Sequence, residues 1–235
     1  MDVVLSTMEW GRRLTREIAV QGPVPTFGRS AARTAASGSR LAEPHPLYGA
    51  SKRAIDIVLA AALFVLTLPL VAAACLLIVA TTGQAPILAQ RRVGLAGREF
   101  TMLKLRTMRG AGETGAPFRA KLPDDGRITA VGRWLRRSSI DELPQLLNVI
   151  AGQMSLVGPR PALPQEVAAY RPSWRRRLAV KPGLSGLWQV SGRSSLPVER
   201  WMALDRAYLR KRSLLFDCAL LVRTVIAVAS MRGAW

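Results

Sequence analysis

The longest hydrophobic segment of the chain covers residues 57–90 and contains no charged residue. Its most apolar part, residues 57–79, is long enough to cross the hydrocarbon core of a bilayer as a helix. Pro69 lies near its middle, where it removes a helix hydrogen bond and clashes with the preceding turn, so we expect a bend or break there. Cationic residues flank both ends, and the positive-inside rule therefore gives no direction. Two interpretations stay open: a kinked transmembrane span, and a helix that breaks at Pro69 and returns to the same face.

Shorter patterns follow this segment. Residues 86–93 and 98–108 are each typical of a strand, and the glycine-containing residues 94–97 favour a turn between them, which predicts a β-hairpin. In residues 213–230, charged residues interrupt the apolar pattern, which favours an interfacial or core-packed helix over a spanning one. The remaining predictions are helices over residues 127–150, 197–212 and 213–230, and Pro/Gly-rich loops over residues 158–164 and 181–195.

Residues 1–50 are rich in Ala, Arg, Ser, Gly and Pro, which predicts a flexible tail. His45 lies between two prolines of this tail, so we expect it to be solvated rather than to act as a ligand or base. Cys75 and Cys218 lie in apolar surroundings without metal or disulfide spacing. Nothing in the cysteine pattern indicates an oxidising compartment.

The charge balance is strongly basic, with 34 Lys and Arg against 15 Asp and Glu and a net charge of +19. Such an excess favours a polyanionic partner: nucleic acid, an anionic bilayer surface or a phosphate-rich small molecule. The hydrophobic segment and the lack of a recognisable reading helix argue against nucleic acid. We therefore expect anionic membrane lipids and phosphate compounds as partners.

The adjacent carboxylates Asp141 and Glu142 have two interpretations. Ser138 and Ser139 each precede one of them by three positions, which fits a helix capping box, and Pro144 places the helix start close by. The same position suits phosphoryl chemistry, because a carboxylate can act as nucleophile or hold a divalent cation while nearby arginines neutralise phosphate oxygens. The arginines are Arg133, Arg136 and Arg137.

Three further sequence features contain charged residues that are candidates for the functional site. Pro159-Arg160-Pro161 limits the backbone around one arginine, although a stiff connector is the ordinary explanation of such a tripeptide. Lys104 and Arg106 lie on one face of the second strand, where a solvated basic face is the simple alternative. Asp205 lies on a helix, where a local salt bridge explains it equally well.

Taken in order, these motifs resemble the monotopic phosphoglycosyl transferases, also called bacterial sugar transferases. The resemblance runs from Lys52 to the C-terminus, and the motifs are individually weak but jointly specific. They are Lys52-Arg-x-x-Asp56, Arg92-Val-Gly94, Lys104-Leu-Arg-Thr-Met108, Asp125-Gly-Arg-Ile-Thr129, Gly132-Arg-Trp-Leu-Arg-Arg137, Ser139-Ile-Asp-Glu-Leu-Pro-Gln145, Asn148, Met154-Ser-Leu-Val-Gly-Pro-Arg-Pro161, Pro182-Gly-Leu-Ser-Gly186, Gln189-Val-Ser-Gly-Arg193 and Asp205-x-x-Tyr208.

The resemblance implies a two-step reaction on a UDP-sugar and undecaprenyl phosphate. Asp141 would attack the phosphate next to the sugar and expel UMP, and the covalent sugar phosphate would then pass to the lipid. Glu142 would assist, and Mg²⁺ held by Asp141 and Glu142 would neutralise the diphosphate. The implied substrate-binding residues are Lys104, Arg106, Arg136, Arg137, Asp205 and the uridine-recognising Pro159, Arg160 and Pro161.

The resemblance also implies an α+β, mainly helical fold in three parts. These are a tail over residues 1–50, a re-entrant membrane helix broken at Pro69 over residues 51–85, and a transferase domain over residues 86–235 with a small β-hairpin and interfacial amphipathic helices. We expect a monotopic protein on the cytoplasmic face of the bacterial inner membrane, with UDP-galactose or UDP-glucose as donor for exopolysaccharide synthesis. The alternative from another class is a membrane-surface scaffold or regulator that kept the fold without catalysis.

Overall fold

The structure is a computed structural model that describes residues 46–110, 125–192 and 196–229. Helices dominate this part of the chain, and the strands form two small two-stranded sheets. This confirms the mainly helical α+β class. The elements are α1 (Pro46–Thr82), β1 (Ile87–Val93), β2 (Glu99–Leu105), α2 (Ala130–Arg137), α3 (Gln145–Ile150), β3 (Ser155–Val157), α4 (Pro164–Ala168), β4 (Gly183–Ser185), α5 (Val198–Lys211) and α6 (Leu214–Ala229).

The hydrophobic segment forms α1, a helix of 37 residues whose secondary structure is continuous through Pro69. Among the described residues, it is the one helix long and apolar enough to cross a membrane. Pro69 has no N–H, so the carbonyl of Val65 lacks its helical donor. Thr67 donates its hydroxyl to the Leu63 carbonyl at 2.7 Å, a contact of the kind that bends helices.

Both ends of α1 pack against the same globular part of the molecule. Ala60 is fully buried in a cluster with Val149. Ile78, on the other side of Pro69, is buried in a second cluster with Leu105. None of the residues 61–70 between these two contact regions is buried. The middle of α1 therefore has no buried residue, whereas near each end one face packs against the domain and apolar side chains such as Val58 and Leu76 are exposed on another.

Charged residues near the start of α1 tie it to segments far along the chain. The Lys52 ammonium lies 2.8 Å from the Asp217 carboxylate in α6. The Asp56 carboxylate accepts a hydrogen bond from the backbone N–H of Leu156 in β3 at 3.0 Å. The Arg53 guanidinium caps the C-terminal end of α3, donating to the carbonyls of Val149 at 2.6 Å and Ile150 at 2.7 Å.

The predicted β-hairpin is confirmed, with β1 and β2 antiparallel and Ile87 opposite Leu105. A short 3-10 turn, Leu95–Gly97, connects the strands. Ala96 has a φ of 56° in this turn, a left-handed conformation that costs energy for a residue with a Cβ. The hairpin places β2, which carries Lys104, between β1 and the segment that contains Asp141.

The predicted helix over residues 127–150 is two helices, α2 and α3, separated by the 3-10 turn Ile140–Glu142. The capping-box interpretation of this region is wrong. Ser139 has a left-handed φ of 58° and its side chain makes no capping hydrogen bond, while the Ser138 hydroxyl donates backwards to the Trp134 carbonyl at 3.0 Å. The serines end α2 and reverse the chain, so that the carboxylates follow on a tight turn.

Three elements, β3, β4 and α4, were not predicted. The strands β3 and β4 pair in parallel, and the backbone N–H of Gly158 extends this pairing by donating to the Ser185 carbonyl at 2.8 Å. The helix α4 lies directly after the proline-rich segment at residues 158–162. Strands of three residues and a helix of five are too short to produce a periodic pattern. The sequence therefore predicted a loop where β4 lies and gave no prediction for β3 or for most of α4.

Candidate active site

Asp141 lies in a buried, cationic part of the molecule. Its side chain is on the 3-10 turn between α2 and α3, and this turn contacts both α2 and β2. Asp141, Lys104 and Arg136 are 6%, 7% and 7% exposed respectively. The negative charge of Asp141 acts favourably on both the Lys104 ammonium and the Arg136 guanidinium. The structure therefore brings together Lys104, Arg136, Asp141 and Glu142 from three separate segments.

Asn148 fixes the helix that follows the two carboxylates against the strand that carries Lys104. Its side-chain oxygen accepts from the backbone N–H of Leu103 at 3.0 Å, and its side-chain nitrogen donates to the Thr101 carbonyl at 2.7 Å. These are backbone groups of β2, so the amide of Asn148 acts like one residue of an additional strand. The contact sets the distance between α3 and β2, and with it the position of the preceding turn.

Close backbone packing positions Arg136. A Cβ on Gly132 would lie only 2.1 Å from the Thr107 carbonyl oxygen, so only glycine allows α2 to approach this closely. One turn later, the Arg136 Nε donates to the Thr107 hydroxyl at 2.8 Å. This bond fixes Nε and with it the direction of the guanidinium group. The group is buried, and the charge of Asp141 acts on it.

The pKa of Lys104 is lowered to about 8, because burial disfavours the charged ammonium and the charges of Arg136 and Arg92 add to this effect. The charges of Asp141 and Glu142 act in the opposite direction. Burial also lowers the pKa of Arg92, to about 9. A group of buried cations is the arrangement expected where an anionic phosphate is to bind.

Four donors from four places hold the segment around Arg160. The carbonyl of Pro159 accepts from the backbone N–H of Gly183 at 2.8 Å, and that of Ala162 accepts from Val93 at 2.8 Å. The carbonyls of the two residues in between, Arg160 and Pro161, accept hydrogen bonds from side chains. The donors are the guanidinium of Arg177 to the Arg160 carbonyl, at 2.9 Å, and that of Arg92 to the Pro161 carbonyl, at 3.1 Å. Arg160 therefore projects from a backbone that is fixed at every carbonyl from residue 159 to residue 162.

Arg160 and Asp205 line one small pocket. Asp205 is 1% exposed, and its carboxylate lies 2.7 Å from the Arg177 guanidinium, not from a residue of its own helix. Burial raises the pKa of Asp205, while the charges of Arg177 and Arg160 lower it. The other residues that line the pocket are Glu166, Trp188, Trp201 and Met202.

Arg92 links this pocket with the carboxylate turn. Its guanidinium donates to the Pro161 carbonyl, and the charges of Arg160 and Glu166 act on it. The charge of Glu142 also acts on it. Arg92 therefore interacts with residues of both groups, which are distant in sequence.

Two predicted substrate-binding residues do not join this region. Arg106 donates its Nε to the Ala85 carbonyl at 2.8 Å and extends towards the Gly110 carbonyl. Arg137 is exposed on the surface of α2, in contrast to its buried neighbour Arg136. Pro159 and Pro161 are buried and serve the backbone of the loop. Their assigned roles in substrate binding remain predictions that rest on the resemblance.

Some residues of this region were not singled out as site residues from the sequence. Arg92 and Asn148 belong to motifs of the resemblance, but nothing in the pattern indicated what they contact. Thr107 stands next to Arg106 in the same motif. Arg177 is the third of three consecutive arginines, and a run of identical charges gives no signal for which side chain is buried.

Asp141 and Glu142 are acidic residues whose charges act on Lys104. In residues 46–110, 125–192 and 196–229, no group of three or more His, Cys, Asp or Glu side chains is arranged to hold a metal ion. A pair of carboxylates fits a Mg²⁺ ion that takes its remaining ligands from water and substrate phosphates, which is a common arrangement for this ion.

Comparison with known proteins identifies the family. Residues 47–231 match the family described as bacterial sugar transferase. The chain is 36% identical over 225 residues to the exopolysaccharide production protein ExoY of Rhizobium meliloti, an alignment that covers 88% of this chain and all of that protein.

Two larger relatives match with part of their length. The undecaprenyl-phosphate galactose phosphotransferase of Salmonella typhimurium is 37% identical over 78% of this chain and 41% of its own. The UDP-glucose:undecaprenyl-phosphate glucose-1-phosphate transferase of Xanthomonas campestris is 42% identical over 62% of this chain and 32% of its own. The family match covers most of the chain, and the smaller relative is matched from end to end. The chain belongs to the bacterial sugar transferase family.

Proposed function

We propose that this protein transfers a sugar phosphate from a UDP-sugar to undecaprenyl phosphate and releases UMP. The observation that carries the proposal is the buried carboxylate of Asp141 beside the buried cations Lys104 and Arg136. The relatives from Salmonella and Xanthomonas are named for sugar-phosphate transfer to undecaprenyl phosphate. ExoY is named for exopolysaccharide production, which supports the same role for this chain.

The reaction takes place in two displacements. A carboxylate oxygen of Asp141 attacks the phosphorus next to the sugar, and the bond from that phosphorus to the UMP oxygen breaks. The sugar phosphate is then bound to Asp141 as an acyl phosphate. In the second step an oxygen of undecaprenyl phosphate attacks the same phosphorus, and the bond to Asp141 breaks. The products are UMP and a lipid-linked sugar diphosphate, and Asp141 is again a carboxylate.

The cations around Asp141 stabilise the negative charge of the transferred phosphate. Lys104 and Arg136 are held in place before substrate binds, so they lose little conformational freedom when the phosphate arrives. Arg160 and the pocket beside it take the uridine end of the donor. Arg92, which interacts with both groups, is near the path of the diphosphate.

Asp141 and Glu142 are the residues that would hold Mg²⁺. The ion would supply neutralisation of the charge that develops on the departing UMP. Glu142 is half-buried, in contrast to the buried Asp141, and its carboxylate would be the more accessible of the two.

The enzyme acts at the cytoplasmic face of the bacterial inner membrane, with α1 as a re-entrant anchor. Support comes from the packing of α1, whose two ends both contact one domain while the exposed middle is apolar. A straight span would carry one end of the helix to the opposite side, away from the residues it contacts. The basic surface of the protein faces anionic lipid headgroups.

A panel of UDP-sugars with undecaprenyl phosphate and detergent-purified full-length protein tests the proposal. We expect UMP release with UDP-galactose or UDP-glucose, and formation of a lipid product of matching mass. The absence of UMP release with every UDP-sugar, N-acetylated ones included, would contradict the function and favour a scaffold or regulator.

A further inference from the structure

Arg177 is the buried member of a run of three arginines. It is 7% exposed, whereas Arg175 and Arg176 are half-exposed on the same 3-10 turn, Arg175–Ala179. Its side chain points into the protein, against the pocket that Arg160 and Asp205 also line.

Both terminal nitrogens of Arg177 are engaged by protein acceptors. Nη1 donates to the Tyr170 hydroxyl at 2.5 Å. Nη2 donates to the Arg160 carbonyl at 2.9 Å and lies 2.7 Å from the Asp205 carboxylate. The guanidinium also lies against the Tyr170 ring, with its carbon 5.7 Å from the ring centre. One planar group thus connects the loop at residue 160, the helix α5 and the segment that follows α4.

Stability alone is a weak reason for this arrangement. A buried ion pair contributes little compared with apolar side chains of similar volume, because both charges lose their hydration. The two groups that Arg177 fixes are the backbone of Arg160 and the carboxylate of Asp205, which belong to two residues lining the same pocket. Their separation is therefore set by a rigid fork rather than by flexible side chains.

We propose that Arg177 is a positioning residue for donor binding, which acts by holding Arg160 and Asp205 at a fixed spacing on the pocket walls. This inference rests on the proposed function, because it takes the donor to be a UDP-sugar. Arg177 has no role in the bond-breaking steps at Asp141. Its loss affects binding of the UDP-sugar more than the rate of the chemical step, and leaves binding of the lipid phosphate unchanged.

The test is the Arg177→Lys variant of the full-length protein in detergent. Lysine keeps a positive charge near Asp205 but cannot donate from two separate nitrogens to the Tyr170 hydroxyl and the Arg160 carbonyl. We expect the KM for the UDP-sugar to rise by about tenfold or more, since two hydrogen bonds and a buried ion pair are disturbed, with a smaller change in kcat. The KM for undecaprenyl phosphate should stay within about twofold of its original value. The matched control is Arg175→Lys, from the half-exposed part of the same turn, which should leave all three parameters unchanged.

A double-mutant cycle separates positioning from a general loss of structure. If Arg177 acts through Arg160, the Arg160→Ala variant and the Arg160→Ala, Arg177→Lys double variant should have nearly the same KM for the donor. Additive effects of the two substitutions would overturn the proposal. Calorimetric binding of UDP to each variant gives the same comparison without catalysis, and thermal unfolding reports the fold.

Tyr170→Phe keeps the proposal testable if Arg177→Lys does not fold. It removes one acceptor of the guanidinium and leaves the ion pair with Asp205 in place. A rise in donor KM of about two- to fivefold supports the proposal, and an unchanged donor KM contradicts it. Failure of the original protein to bind UDP or release UMP would instead reject the proposed function, so the two failures are distinguishable.

Discussion

Asp141 is the residue on which the proposed chemistry depends most directly. We expect Asp141→Asn to lower the rate of UMP release by more than about 10³-fold, because an amide oxygen cannot form the covalent sugar phosphate. The amide has nearly the same shape as the carboxylate, so the fold should be retained. UMP release and circular dichroism of the purified variant measure the two effects.

The control for this variant is Glu199→Gln, which makes the same change from carboxylate to amide on an exposed residue in the first turn of α5. Its rate should stay within about twofold of the original, because substitutions of exposed residues have small effects. Near-normal activity of Asp141→Asn itself would remove the nucleophile role and leave the family membership unaffected.

The lowered pKa of Lys104 predicts that the activity depends on pH. Its pKa is lowered to about 8 by burial, so the ammonium that we propose to bind phosphate loses its proton above that pH. We expect kcat/KM for the donor, which reports the free enzyme, to fall above about pH 8. In Lys104→Arg the guanidinium stays charged, and the falling limb should move to higher pH. An unchanged limb in this variant would show that another group causes it.

Lys104 affects stability in the opposite direction: as pH rises, its contribution to stability increases while activity falls. Between the lowered pKa in the folded protein and the ordinary value of 10.5, the unfolded chain carries a proton on this lysine that the folded state has released. Stability from this group therefore rises with pH in that interval. Thermal unfolding above pH 8 should show this contribution as a difference from Lys104→Met, in which nothing titrates at this position.

At the scale of elements, the close contact of α2 with the backbone of Thr107 determines where Arg136 lies. In Gly132→Ala the added Cβ would meet the Thr107 carbonyl at 2.1 Å, so α2 must shift away. We expect a loss of stability on the order of 1–3 kcal/mol, as in overpacked sites, together with a lower kcat. The shift also breaks the bond between Arg136 and Thr107.

Gly126→Ala is the matched control, because a Cβ there would have no neighbour within 4 Å. Chemical denaturation and UMP release should show both losses in Gly132→Ala and neither in Gly126→Ala. A Gly132→Ala variant with full stability and activity would contradict the importance of this contact.

The elements also show which features the sequence specified. The hairpin followed from two strand patterns around a glycine turn, and the long helix followed from its uninterrupted apolar residues. The helical periodicity of residues 127–150 hid the turn at Ser139, because a single left-handed residue leaves the hydrophobic pattern intact on either side. Lys104 and Asp141 were identifiable through motifs, whereas Arg177 was not, since its role depends on contacts with residues 17 and 28 positions away along the chain.

For the whole molecule, the path of α1 is the first testable property. Single cysteines at positions 45 and 115, in a chain without Cys75 and Cys218, should both be labelled from the cytoplasmic side. The reason is that both ends of α1 contact one domain. Labelling from opposite sides would establish a spanning helix.

The proline at the centre of α1 supplies a variant for the same measurement. Pro69→Ala restores the helix hydrogen bond that Val65 lacks, and should shift part of the population towards the spanning orientation. Leu66→Ala, at an exposed position in the same stretch, leaves the hydrogen bonds unchanged and should keep the original labelling. Equal labelling of the three proteins would show that Pro69 does not control the orientation.

The order of the two displacements is a property of the complete enzyme. With Mg²⁺ and the correct UDP-sugar alone, we expect release of at most about one UMP per active site, after which the reaction stops until undecaprenyl phosphate is added. Steady-state plots should give the parallel lines of a ping-pong scheme, and EDTA should suppress both phases. Intersecting plots without a UMP burst would indicate direct transfer between two bound substrates.

The contacts at the start of α1 have a consequence for biosynthesis. Lys52 is bound to a residue 165 positions later, and Arg53 and Asp56 to residues about a hundred positions later. The ribosome therefore delivers the hydrophobic helix long before the groups that fix its charged end. Between these two events Lys52 and Asp56 can pair with each other one helical turn apart, at 4.0 Å, but their partners in the domain do not yet exist. Docking of α6 onto the start of α1 is therefore expected to be one of the last steps of folding.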